Sequence, residues 1–93
     1  MTRAEEPFVV EWAGPALRAL RRLPEKVATA AVEFIYGPLA ANPHRVGHAL
    51  RFELEGLHSA RRGDHRIASG VDDRRRVVVV VAIEHRSDVY RRR

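Results

Sequence analysis

Apolar and polar residues change rhythm several times along the chain, and each change marks an element. Residues 8–12, FVVEW, are β-branched and aromatic and read as a first strand. Gly14-Pro15 stops it, and proline suits the first turn of a helix, where its missing N–H is no loss. Over Ala16–Leu23, Leu17 and Leu20, with Ala13 before them, fall at helical spacing. Pro24 interrupts that segment and opens a second helix, about Glu25–Ala40. There Val27, Ala31 and Phe34 recur on one face, with Ala30 and Ile35 beside them. Glu25 in the first turn suits the helix dipole, and Gly37-Pro38 should kink or shorten the end. Two helices joined at a proline predict a helical hairpin.

Beyond a loop at Asn42–Gly47, NPHRVG, the rhythm becomes that of strands. Residues 50–54, LRFEL, alternate apolar and polar and read as a half-buried strand that Glu55-Gly56 breaks. His65–Val71 is the next strand, followed by a turn at Asp72-Asp73-Arg74. Arg76–Glu84 is the one after it. Its unbroken apolar centre, Val77–Ile83, requires cover on both faces and places it centrally. Strands joined by such short turns run antiparallel. The expectation is a single α+β domain over residues 1–93: an N-terminal strand, a two-helix hairpin, then an antiparallel sheet of about three further strands. The helices should cover one face of the sheet and leave the other for a basic cleft.

Composition adds location and charge. No cysteine is present, which excludes disulfides and thiolate metal sites and fits a reducing, cytoplasmic compartment. Val77–Ile83 is far too short to span a bilayer, and the first residues carry Glu5 and Glu6 rather than an apolar stretch. Neither a membrane association nor a signal peptide is expected. The net charge is +5, and its distribution is uneven. Residues 1–43 balance four arginines and one lysine against five glutamates, whereas residues 44–93 hold twelve arginines against seven acidic residues. A one-sided basic surface is the footprint of a polyanion binder. Arginine grips phosphate bidentately and keeps its charge. A GC-rich genome would also favour arginine over lysine, so composition alone does not decide.

The chemistry narrows by exclusion. His44 and His48 have ligand spacing, but Pro43 and Gly47 make that stretch a loop, and neither a metal nor another cofactor is expected. Gly56, Gly63 and Gly70 form no phosphate loop, and Ser59, Ser69 and Ser87 lack a nucleophile's context. What remains is a basic set in two segments: Arg61, Arg62, His65 and Arg66, then His85, Arg86 and Tyr90. A hairpin through residues 72–75 would bring 65–66 close to 83–86. Side chains alternate, so only one of His65 and Arg66 can share a cleft with His85, and a slip of one residue would exchange them. Such a cluster suits metal-free RNA cleavage. A 2′-hydroxyl attacks the adjacent phosphate, a base takes its proton, cations hold the developing charge and an acid protonates the leaving 5′-oxygen. Arginine fits the cationic role, and histidine or glutamate the proton transfers. The blander reading is a solvated charged face, which we hold for Arg74–Arg76 and Arg91–Arg93. His58, His65 and Tyr90 are equally ordinary structural residues.

Three segments, LRRLPEKV (20–27), LEGLHSARRGDHRI (54–67) and IEHRSDVYRR (83–92), resemble the RelE/ParE toxins of bacterial type II toxin–antitoxin systems, the RelE branch more than ParE. The resemblance runs over nearly the whole chain. It implies the RelE-like microbial ribonuclease fold and a metal-independent endoribonuclease that enters the ribosomal A site and cuts mRNA. It also implies a RelB-like antitoxin partner, through which the complex would bind operator DNA. By motif, Arg66 of G-D-H-R would stabilise the transition-state phosphate and Arg61 would make a second phosphate contact. His85 would act as acid or base beside Arg86, and Tyr90 would stack on a base or assist proton transfer. Arg51, Arg62 and His65 would be further RNA contacts. Three departures stand out. His65 replaces the usual tyrosine, and Glu84 stands where one branch has arginine. Lys26 is the only lysine, so no lysine is available on the strands as base, and Glu84 is a candidate for that role. The same fold also serves gyrase inhibition in the ParE branch. A toxin that has lost its activity and survives as an antitoxin-binding or repressor partner is the third reading.

Overall fold

The structure is a computed structural model and describes residues 6–46, 48–49 and 57–85. Strand β1 (Val9–Trp12) leads into helix α1 (Gly14–Arg22), and α2 (Glu25–Phe34) follows at once. Pro15 sits in the first turn of α1, and Leu23 is extended, as the residue before Pro24 must be. The inward face of α1 is Ala16, Ala19, Leu20 and Leu23 rather than the expected Leu17, Leu20 and Ala13. Ala16 is fully buried, and its small side chain lets α1 lie close to the valine-rich strand beneath it.

The expected disturbance at Gly37-Pro38 is a wide turn of the helix over Ile35–Leu39, in which the Ala40 N–H reaches the Ile35 carbonyl. Pro38 has no N–H to continue the α-helical ladder, and the wider turn accommodates it. Ile35 and Leu39 both enter the core from this turn. Residues 43–46, expected as loop, instead form one helical turn, α3 (Pro43–Val46). Asn42 precedes it and accepts the Arg45 N–H on its side chain, and Pro43 fits a first helical position.

Strands β2 (His48–Ala49), β3 (Leu57–Arg62), β4 (His65–Asp72) and β5 (Val77–His85) complete a five-stranded sheet of order β1-β5-β4-β3-β2 among the described residues. The β2–β3, β3–β4 and β4–β5 pairs are antiparallel, while β1 joins β5 in parallel, so the sheet is mixed. The expected strand at 50–54 lies outside the described residues, and β3 was not expected. A two-residue turn, Gly63-Asp64, joins β3 to β4, with Gly63 at φ +62 where only glycine is unstrained. Asp72 shapes the next turn by accepting the Arg74 and Arg75 N–H groups.

One irregularity governs everything at the far end of β5. Ser69 pairs with Val80 and Ala68 with Ala82, which leaves Val81 as an extra residue in a bulge. Val80 and Ile83 are three apart and would otherwise face opposite sides. The bulge turns both into the core with Ile67, Val78, Ile35, Leu39 and Phe8. The helices cover this face. No helix among the described residues is long and apolar enough to cross a membrane.

Candidate functional site

The register decides which basic residues meet. Arg61 lies opposite Arg66, and Arg66 opposite Glu84, so one row crosses β3, β4 and β5 on the face away from the helices. Arg62 lies opposite His65, and His65 opposite His85, forming the neighbouring row on the helix side. The predicted proximity of residues 65–66 to 83–86 is present. His65 shares His85's side of the sheet and Arg66 does not. Arg86 and Tyr90 lie outside the described residues, as does Arg51.

In the first row, Arg66 Nη2 donates to Glu84 Oε1 at 3.0 Å. Arg66 is 40% exposed and Glu84 only 20%, so the pair is shielded but open to a ligand from the arginine side. The Arg66 Nε is buried with no hydrogen-bond partner among the described residues. Arg61 and Arg62 are exposed at the end of β3, and both also border a shallow groove beside Glu33 and Phe34. Arg61 is therefore less committed to one face than Arg66.

In the second row, the His65 and His85 rings meet edge to face, 5.0 Å between centroids. They stand over a cavity of about 530 Å³ beneath the start of α2, with Val27, Ala31 and Ile67 in its wall and Lys26 and Arg62 at its margin. A second histidine pair was not anticipated. His44 bonds Asp73 at 2.8 Å and meets the His58 ring edge-on at 5.2 Å, tying α3 to β3 and to the β4–β5 turn. Burial, and secondly the nearby His44, lower the pKa of His58 from its ordinary value, partly opposed by Asp73. No spacing in the sequence announces this group, because its members come from three separate elements.

A small α+β domain with helices on one face of a mixed sheet is the fold this chain shares with solved toxins of toxin–antitoxin systems. The profile described as "ParE toxin of type II toxin-antitoxin system, parDE" matches residues 10–90, and the chain belongs to this family, on its RelE side. It is 52% identical to Toxin RelE of Mycobacterium tuberculosis over 87 residues, covering 94% of this chain and 90% of that protein. Toxin RelG of the same organism is 44% identical over 86 residues, 92% of this chain and 99% of that one. Among solved structures, the M. tuberculosis toxin–antitoxin complex RelBE2 matches at TM-score 0.83 and 43% identity, covering 88% of this chain and 94% of that one. The isolated Escherichia coli RelE toxin matches at TM-score 0.70 and 18% identity, covering 89% of this chain and 90% of that one, a likeness of fold.

Proposed function

We propose that this toxin is a ribosome-dependent endoribonuclease that cuts mRNA in the A site without a metal, and that a RelB-like antitoxin holds it inactive in the cytoplasm. The observation that carries this reading is the Arg61–Arg66 row on the uncovered face of the sheet, in a chain so similar to a RelE toxin. Two guanidinium groups one strand apart suit a phosphodiester, because each can give paired N–H donors to phosphate oxygens. Relatives solved as RelB–RelE complexes support an antitoxin partner, and operator binding by the complex would then run through that antitoxin.

The 2′-oxygen of one nucleotide attacks the adjacent phosphorus while the bond to the 5′-oxygen breaks, leaving a 2′,3′-cyclic phosphate and a 5′-hydroxyl. Arg66 and Arg61 hold the negative charge that builds on the non-bridging oxygens. One group accepts the 2′ proton and another returns a proton to the 5′-oxygen. We assign these transfers to the end of β5, to His85 and, by the motif, Tyr90, with Arg86 as a further cation. His85 faces the helix side, so the scissile phosphate sits at the end of the strands, where Arg66 reaches it from one face and His85 from the other.

Primer extension on a reporter mRNA in a cell-free translation extract tests the reading. Cuts within codons that need translating ribosomes, and that weaken by about 10²–10³ with Arg66→Ala, are the expected outcome. Intact mRNA, with inhibition of gyrase supercoiling in a parallel assay, would replace it with the gyrase reading.

A further inference from the structure

Glu84 is the residue of the basic row that the proposed chemistry leaves unused. It lies directly across from Arg66, is the less exposed of the two and takes one arm of the guanidinium at 3.0 Å. A carboxylate bound to guanidinium resembles a phosphate in charge and in acceptor geometry. It also completes a charge sequence across three strands. Arg61 and Arg66 are like charges in directly opposite positions, a pairing that costs stability, and the carboxylate on the third strand relieves it.

We propose that Glu84 is a positioning residue that fills part of the phosphate's place on Arg66 in the unliganded toxin, so that a nucleic-acid phosphate binds by displacing or sharing with this internal anion. The proposal rests on Arg66 being a phosphate contact. Glu84 then has two opposed effects. It steadies the empty row and fixes the Arg66 side chain above the sheet. It also lowers the affinity of the row for RNA, because the incoming phosphate meets a negative charge a few ångströms away. In this reading Glu84 takes no proton in the reaction, since its carboxylate is engaged with the cation that the substrate needs. The bulge at Val81 is what gives it this position. Were Val81 paired in plain alternation instead of bulged, the pattern set by Val78 and Val80 would turn Glu84 toward the core.

The test uses the full chain and a single-stranded DNA oligonucleotide, which lacks the 2′-hydroxyl and cannot be cut by the proposed route. Its affinity is measured by fluorescence anisotropy across a salt series for the wild type, Glu84→Gln, Glu84→Ala, Arg66→Ala and the Arg66→Ala/Glu84→Gln double variant, with melting temperatures alongside. Glu84→Gln should bind about tenfold more tightly at low salt, the scale of removing one charge near the site. It should also melt at a lower temperature than wild type. Glu84→Ala should move both readouts the same way, and it carries the test if the glutamine variant does not fold. With Arg66 absent, the gain from Glu84→Gln should shrink to about twofold or less, as for a screened charge with no shared partner. Unchanged or weaker binding by the Glu84 variants, while Arg66→Ala also weakens it, overturns the proposal and leaves Glu84 a purely structural partner. Arg66→Ala binding as well as wild type overturns instead the assignment of Arg66 to phosphate.

Discussion

Arg66 differs from the chain's solvated arginines in that its side chain is held at both ends, by strand register and by Glu84. Orientation therefore matters at this position as much as charge. Arg66→Lys keeps the charge but loses the planar fork, so it should recover only a small part of the cleavage lost in Arg66→Ala, as single-turnover rates in the extract would show. His58 answers to acid instead. Its folded pKa lies below its ordinary value, so the unfolded chain binds the proton more readily than the folded one. Its share of stability is complete above the ordinary histidine pKa and falls as the pH drops through the folded value. Melting temperatures should accordingly decline from neutral pH into the mildly acidic range, and His58→Gln should flatten that decline. A decline of equal slope in the variant would assign it to other groups. Of these residues, Arg66 was legible in the sequence because a local motif carries it. The His44–Asp73–His58 contact was not, since it joins residues that only the folded chain brings together.

Among the elements, β5 does the most positioning, through one unpaired residue. Deleting Val81 would place Ile83 two residues after Val80 and give plain alternation with Ile83 and His85 inward and Glu84 outward, the faces they already have. It is pairing Val81 without a bulge that would turn the carboxylate inward, away from Arg66, and take Ile83 out of the core. The deletion variant should therefore keep a cooperative thermal transition, as should Val81→Ala, each with a modest loss of melting temperature, and a deletion variant without a transition would overturn this reading of the bulge. The helices, β1, β4 and β5 were readable because their apolar residues recur at one period and proline or glycine marks their ends. Strand β3 was not, because LHSARR offers few β-formers, and Ala60 alone is fully turned to the core. The signal that would have found it is Gly63-Asp64, a two-residue hairpin turn immediately before a recognised strand. Likewise α3 was read as loop, and the signal that would have found it is Asn42-Pro43, a cap followed by a first-turn proline. The face borne by His85 could not be read, because five consecutive valines give no sign of where a bulge will fall.

At the scale of the whole molecule, the sheet gains one of its edges from its first strand, which lies alongside its last. Val9 donates to the Arg76 carbonyl and Ala13 to that of Val80, so the N–H of Glu11 between them also points at β5. The Glu11 side chain is exposed, and Glu11→Pro thus removes a ladder donor without disturbing the core. It should cost about 1–3 kcal/mol, read in a urea titration, and a variant as stable as wild type would mean that β1 contributes little. This pairing also fixes the order of events during synthesis. Val9–Trp12 emerges early and has nothing to pair with, and α1 emerges before the strand it covers exists. Because β5 lies between β1 and β4, the sheet cannot assemble until Val77–His85 has cleared the exit tunnel. Until then the newborn chain has no assembled Arg61–Arg66–Glu84 row. If the protein acts on translating ribosomes, the one making it reaches the end of β5 before its product can become harmful.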